Sequence, residues 1–98
     1  MGKLIEPADA PLCSREEFDA LVDGMVKDEA PRIFAVVQEL GDRLDGRIAG
    51  WGMAFEEYAD IAGVCGRFRA RLVRPENALR MFRGGPSITA RVVWVPGT

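Results

Sequence analysis

The stretch RIFAVVQELGDRLDGRIAGWGMAF, residues 32–55, is apolar on both of its alternating faces, and this constrains the fold more than any other feature of the chain. It reads as a β-hairpin. Asp45-Gly46 is a favoured turn pair, because both central positions of a two-residue turn of this kind need positive φ. With that pair as the pivot, Leu40 falls opposite Trp51 and Val36 opposite Phe55. Phe34, Val36, Leu40, Trp51, Met53 and Phe55 then share one face, and a slip of one residue would scatter the set. The other face carries Ile33, Ala35, Val37, Ile48, Gly50, Gly52 and Ala54, and it is not polar either. Strands that are apolar on both faces are usually covered on both. Either a helix lies on each side, or a second molecule covers one. Gly50 and Gly52 allow close approach of another backbone or mark a bulge.

The hairpin is preceded by a helix. Ser14 followed by Glu17 is a capping-box signal, and Phe18, Leu21, Val22, Met25 and Val26 recur at helical spacing to make one apolar stripe. Glu16, Glu17, Asp19, Asp23, Asp28 and Glu29 decorate the other side, and Pro31 ends the helix. Its stripe is expected to bury Trp51 and Phe55 against Phe18, Leu21 or Met25. Residues 1–13, with Pro7 and Pro11, read as an extended lead-in.

After the hairpin, EEYADIAGVCG fits either a continuation of the second strand through a bulge or a short helical turn. RFRARLV is a strand, with Phe68, Ala70 and Leu72 inward and Arg67, Arg69 and Arg71 outward. Pro75 suits the first turn of a second helix that directs Ala78, Leu79 and Phe82 inward and stops at Gly84. ITARVVWV closes as a strand, beside the first or the third. The expected fold is a single α+β domain over residues 1–98. It has a mainly antiparallel sheet of about four strands and two helices, in the order α-β-β-β-α-β.

Charge divides the chain. Beyond Gly63, Arg67, Arg69, Arg71, Arg74, Arg80, Arg83 and Arg91 stand against Glu76 alone, a balance of +6; residues 1–62 hold six bases and fourteen acids, a balance of −8. So steep a split concerns partners, or how the halves meet. Arg67, Arg69 and Arg71 at period two form a cationic stripe suited to an extended polyanion, which Arg74, Arg80 and Arg83 could lengthen. The competing reading pairs these guanidinium groups with acids of the first helix and second strand. Phe68 points away from the stripe, which leaves no stacking platform beside it. A pI near 5.1 is low for a nucleic-acid binder.

Catalytic chemistry has little to work with. The chain has no histidine, which removes the commonest general base, the Ser-His and Cys-His pairs, and the commonest metal ligand. Cys13 and Cys65 lack CxxC spacing and a second pair, so neither zinc nor a disulfide framework is expected. Glu56 and Glu57 are neighbours and point apart in a strand. Gly50-Trp51-Gly52 lacks the lysine, third glycine and following helix of a phosphate loop. No signal peptide, myristoylation motif or membrane span is evident, which makes the cytosol the expected location and both cysteines free thiols.

The run FAVVQELGDRLDGRIAGWGMAF, the PENALRMF helix and the closing ARVVWV resemble small uncharacterised proteins of high-GC actinobacteria. The abundance of arginine over lysine fits that origin. The resemblance implies no activity and no site residues.

The leading functional expectation is a non-enzymatic interaction or regulatory protein without a cofactor, acting as a homodimer or with a protein partner. Its candidate surface comprises the hairpin face around Gly50, Gly52 and Ala54 and the arginines 67, 69, 71, 74, 80 and 83. Two-fold symmetry would let one subunit's acidic half meet the other's basic half. The alternative is nucleic-acid binding through Arg67, Arg69 and Arg71; a third is a small-ligand binder or histidine-free enzyme.

Overall fold

The computed structural model describes residues 13–98, which belong to two compact units, Met1–Ala30 and Pro31–Thr98. The extended lead-in expected over residues 1–13 lies outside the described residues except for Cys13.

In the first unit, α1 runs Arg15–Glu29. The Ser14 hydroxyl caps it, accepting a hydrogen bond from the Glu17 backbone N–H at 3.1 Å. At the other end Pro31 holds Ala30 in an extended conformation, so the helix stops. None of its residues is buried, and Phe18, Leu21, Val22, Met25 and Val26 are 37–65% exposed.

The second unit is an antiparallel five-stranded sheet: β1 (Arg32–Leu40), β2 (Asp45–Ala54), β3 (Ala59–Gly63), β4 (Arg69–Leu72) and β5 (Ile88–Trp94), in the spatial order β4-β3-β2-β1-β5. A short 3-10 helix, η1 (Pro75–Arg80), crosses between β4 and β5. The α+β class and the sequence of elements match the expectation. The ambiguous stretch after Phe55 resolves into β3, a strand of its own, behind a turn closed by the Phe55 N–H donating to the Tyr58 carbonyl at 2.8 Å. The last strand lies beside the first.

The hairpin register differs from the one centred on Asp45-Gly46. Leu40 pairs with Asp45, and the reversal occupies residues 41–44, where Gly41 (φ 57°) and Arg43 (φ 64°) take the positive angles. The Glu39 carboxylate accepts from the Arg43 N–H at 2.9 Å and Gly41 donates to the Ser87 carbonyl at 2.7 Å, which anchors the turn to both neighbouring segments. A second departure follows. Val37 pairs with Ile48 but Val36 with Gly50, so Ala49 is the extra residue of a β-bulge. Continued without it, the lower register would set Trp51 opposite Phe34. With it, Phe34 meets Gly52, and Trp51 and Met53 turn to the opposite face.

The core lies on one face of the sheet. Phe34, Val36, Ala59, Ile61 and Ala78 are buried there, with Phe68, Ala70, Leu72, Leu79, Phe82, Val92 and Trp94 packed around them. As expected, η1 and the residues after it supply Ala78, Leu79 and Phe82. Phe82 meets Phe68 edge-on at 5.7 Å, and Phe34 leans on Trp94 at 5.4 Å. Gln38 is the buried polar residue of this face and is satisfied at both ends: its amide donates to the Phe82 carbonyl and accepts from Arg47 Nε at 2.8 Å. Two sequence expectations are corrected. Trp51 is 45% exposed because the bulge turns it off the core face, and Phe55 is half-buried, stacked on Tyr58 at 4.8 Å.

Candidate interaction surface on the open face of the sheet

The sheet face opposite the core follows from strand alternation and the bulge together. Cross-strand pairing sets Arg69, Ala62, Trp51, Ala35 and Val93 in one row, and Arg71, Asp60, Met53 and Ile33 in the next. Val37 and Arg91 pair in the row beyond. The centre of the face is therefore apolar, and its two edges carry arginines: Arg69 and Arg71 on β4, Arg91 on β5. Trp51, Met53 and Val93 are 45%, 42% and 41% exposed. Ile33, Trp51, Met53, Ala62, Arg69 and Arg71 line a shallow depression of about 610 Å³.

One ion pair structures this face. The Arg71 guanidinium forks onto the Asp60 carboxylate, Nε to Oδ1 at 2.8 Å and Nη2 to Oδ2 at 3.2 Å, and lies over the Tyr58 ring at 4.2 Å. The hydrogen bond from Arg71 holds the Asp60 carboxyl below its ordinary range, and Asp60 in turn pushes the guanidinium further up. Among the described residues, Arg67, Arg69, Arg74, Arg80, Arg83 and Arg91 make no ion pair.

The expected site residues divide between the two faces. Arg69 and Arg71 lie on the open face; Arg67 is exposed in the loop before β4. Arg74 caps η1, Arg80 ends it and Arg83 follows, all exposed beside the segment that covers the core. The arginines thus form no single stripe. Gly50 and Gly52 are buried on the core face, under Phe82 and Phe34, and half-buried Ala54 packs against the core cluster. They cannot form an exposed surface. That part of the candidate surface is corrected, since the open face of the hairpin holds Ile33, Ala35, Val37, Trp51 and Met53. The residues missed were Trp51, Met53, Asp60 and Arg91. The available signal was glycine alternation: Gly50 and Gly52 give room to large partners, so the intervening Trp51 has to face away from Phe34 and Val36.

No group of three or more His, Cys, Asp or Glu among the described residues is placed to hold a metal ion. Cys65 is exposed in the loop before β4, and Cys13 is half-buried. No described helix is long and apolar enough to cross a membrane.

Fold and surface together define a small α+β protein with an open-faced antiparallel sheet. Comparison with known proteins finds no match: no family model, no curated protein and no solved structure aligns with the chain.

Proposed function

We propose that the chain is a non-enzymatic interaction or regulatory protein of the cytosol, acting as a homodimer or in complex with a protein partner through the open sheet face. The observation that carries this reading is the placement of Trp51 and Met53 side by side at the centre of that face, both over 40% exposed. An aromatic ring and a thioether on a flat sheet gain nothing from water, and Trp, Met and Arg are residue types enriched where proteins meet. Arg69 and Arg91 supply the charged rim that gives such a patch register and specificity. Light scattering at micromolar concentration tests it. A mass twice the 10.8 kDa of one chain is expected; a single-chain mass at every concentration would remove the homodimer and leave only the hetero-complex.

A second reading has an observation of its own. Arg69 and Trp51 share a cross-strand row, so a guanidinium and an indole lie on one face, the combination on which single-stranded nucleic acid stacks. Against it stand the division of the arginines between two faces, the engagement of Arg71 by Asp60, and the low pI. Mixing with single-stranded DNA and RNA at low salt is expected to give no shift. A complex that weakens steeply with salt, and weakens alike on all sequences with Arg69→Glu, would reverse the preference.

A further inference from the structure

We infer that the occupant of the open sheet face is the α1 helix of a second copy of this chain. The inference rests on the homodimer branch of the proposed function and gives it a geometry.

Each surface has what the other lacks. The α1 stripe of Phe18, Leu21, Val22, Met25 and Val26 is exposed along its whole length, and the sheet presents exposed Trp51, Met53 and Val93 beside half-buried Ile33. Sizes agree. Fifteen helical residues extend about 22 Å at 1.5 Å per residue, and the nine residues of β1 run about 30 Å at about 3.3 Å per residue, so the helix fits lengthwise along the strands.

Charge then selects this partner over an arbitrary apolar one. Helical spacing sets Glu17 and Asp28 along one border of the stripe and Asp23 along the other, beside Asp19, which Arg15 of the same helix engages at 3.5 Å. A helix centred over β1 and β2 has β4 on one flank and β5 on the other. Its two acidic borders therefore meet Arg69 on one side and Arg91 on the other. Both guanidinium groups lack a carboxylate among the described residues of their own chain. Two sheet faces packed against each other would instead oppose arginine to arginine. Every copy carries one helix and one face, so reciprocal exchange closes at two copies.

The test uses the full-length chain with a single substitution on each surface. Leu21→Glu alters the stripe and Trp51→Glu alters the face; both positions are exposed, so native circular dichroism is expected to survive. If Trp51→Glu loses it, Met53→Glu takes its place. Sedimentation at tens of micromolar is expected to give a dimer for the unaltered chain and a monomer for each variant. An equal mixture of the two variants is expected to regain dimer, because the mixed pair keeps one intact helix-on-face contact. Raising salt to about 0.5 M should loosen the dimer severalfold as the borders are screened. A dimer that survives both substitutions overturns the helix-on-face arrangement while the homodimer stands. A mixture that stays monomeric overturns the exchange between copies. An unaltered chain that is monomeric overturns the inference together with the homodimer, and the hetero-complex reading remains.

Discussion

The ring of Phe34 occupies the space that a β-carbon on Gly52 would take, across the β1–β2 pair. Phe34 has no exposed surface, and its ring touches Trp94 on the far side, so it has nowhere to retreat. Gly52→Ala is therefore expected to destabilise the sheet by about 1–3 kcal/mol through overpacking. Phe34→Leu in the same chain should return part of that loss, by vacating the contested volume. Denaturant midpoints measure both. An unchanged midpoint for Gly52→Ala would show that the two residues do not meet.

Two phenylalanines of one hairpin differ sharply in expected effect. Phe34→Ala empties the centre of the core and should cost about 3–5 kcal/mol. Phe55→Ala removes a half-buried ring whose partner is Tyr58, and should cost about 1 kcal/mol. The same chemical unfolding series checks both, and equal losses would contradict the assigned register.

Asp60 provides a pH signature. Its folded carboxyl is depressed below the ordinary 3.8 by the Arg71 fork. A depressed folded value means that the contribution is complete above the unfolded carboxyl's pKa and is lost as pH falls through the folded one, so it disappears on acidification below about pH 4. A carboxyl titration followed by NMR should place Asp60 below the ordinary aspartate range. Arg71→Lys, which loses the two-pronged geometry, should move it upward. A midpoint in the ordinary range for the unaltered chain would disprove the fork in solution.

Ser14 governs the start of α1. Replacing it with alanine leaves the Glu17 N–H without its side-chain acceptor and should weaken the helix by about 1 kcal/mol. In dilute, monomeric chain, where α1 has no buried residue to compensate, far-UV circular dichroism should show reduced helicity while the midpoint of the sheet stays in place.

Some elements were legible because their causes are local. Ser14, Glu17 and Pro31 delimit α1 through hydrogen bonds and sterics within a few residues of each end. Phe68, Ala70 and Leu72 alternate with the arginines and face the core, as period two requires, and Pro75 with Ala78, Leu79 and Phe82 marks η1. β3 was not legible: ADIAG is short, and its pairing with β2 on one side and β4 on the other decides its state.

The choice of sheet face shows where local reading stops. Asp45-Gly46 is a good turn pair, but Asp45 instead opens β2, its carboxylate accepting from the Gly46 N–H at 2.8 Å. Burial of Phe34 against Gly52 outweighs a turn preference, because a core ring stabilises by several kcal/mol and a favoured turn by far less.

The amino-acid sequence by itself determined the α+β class, the order of the elements other than β3, the span of α1 and the inward faces of β4 and η1, since each follows from periodicity and capping within one segment. Tertiary structure alone decided where the bulge that turns Trp51 and Met53 from the core falls, and that Arg69 and Arg91 frame them. Those outcomes depend on one extra residue, Ala49, in one strand. A bulge forms where long-range packing of Phe34 over Gly52 and of Phe82 over Gly50 demands it, and the glycine alternation of β2 gives the facing of Trp51 without announcing the extra residue.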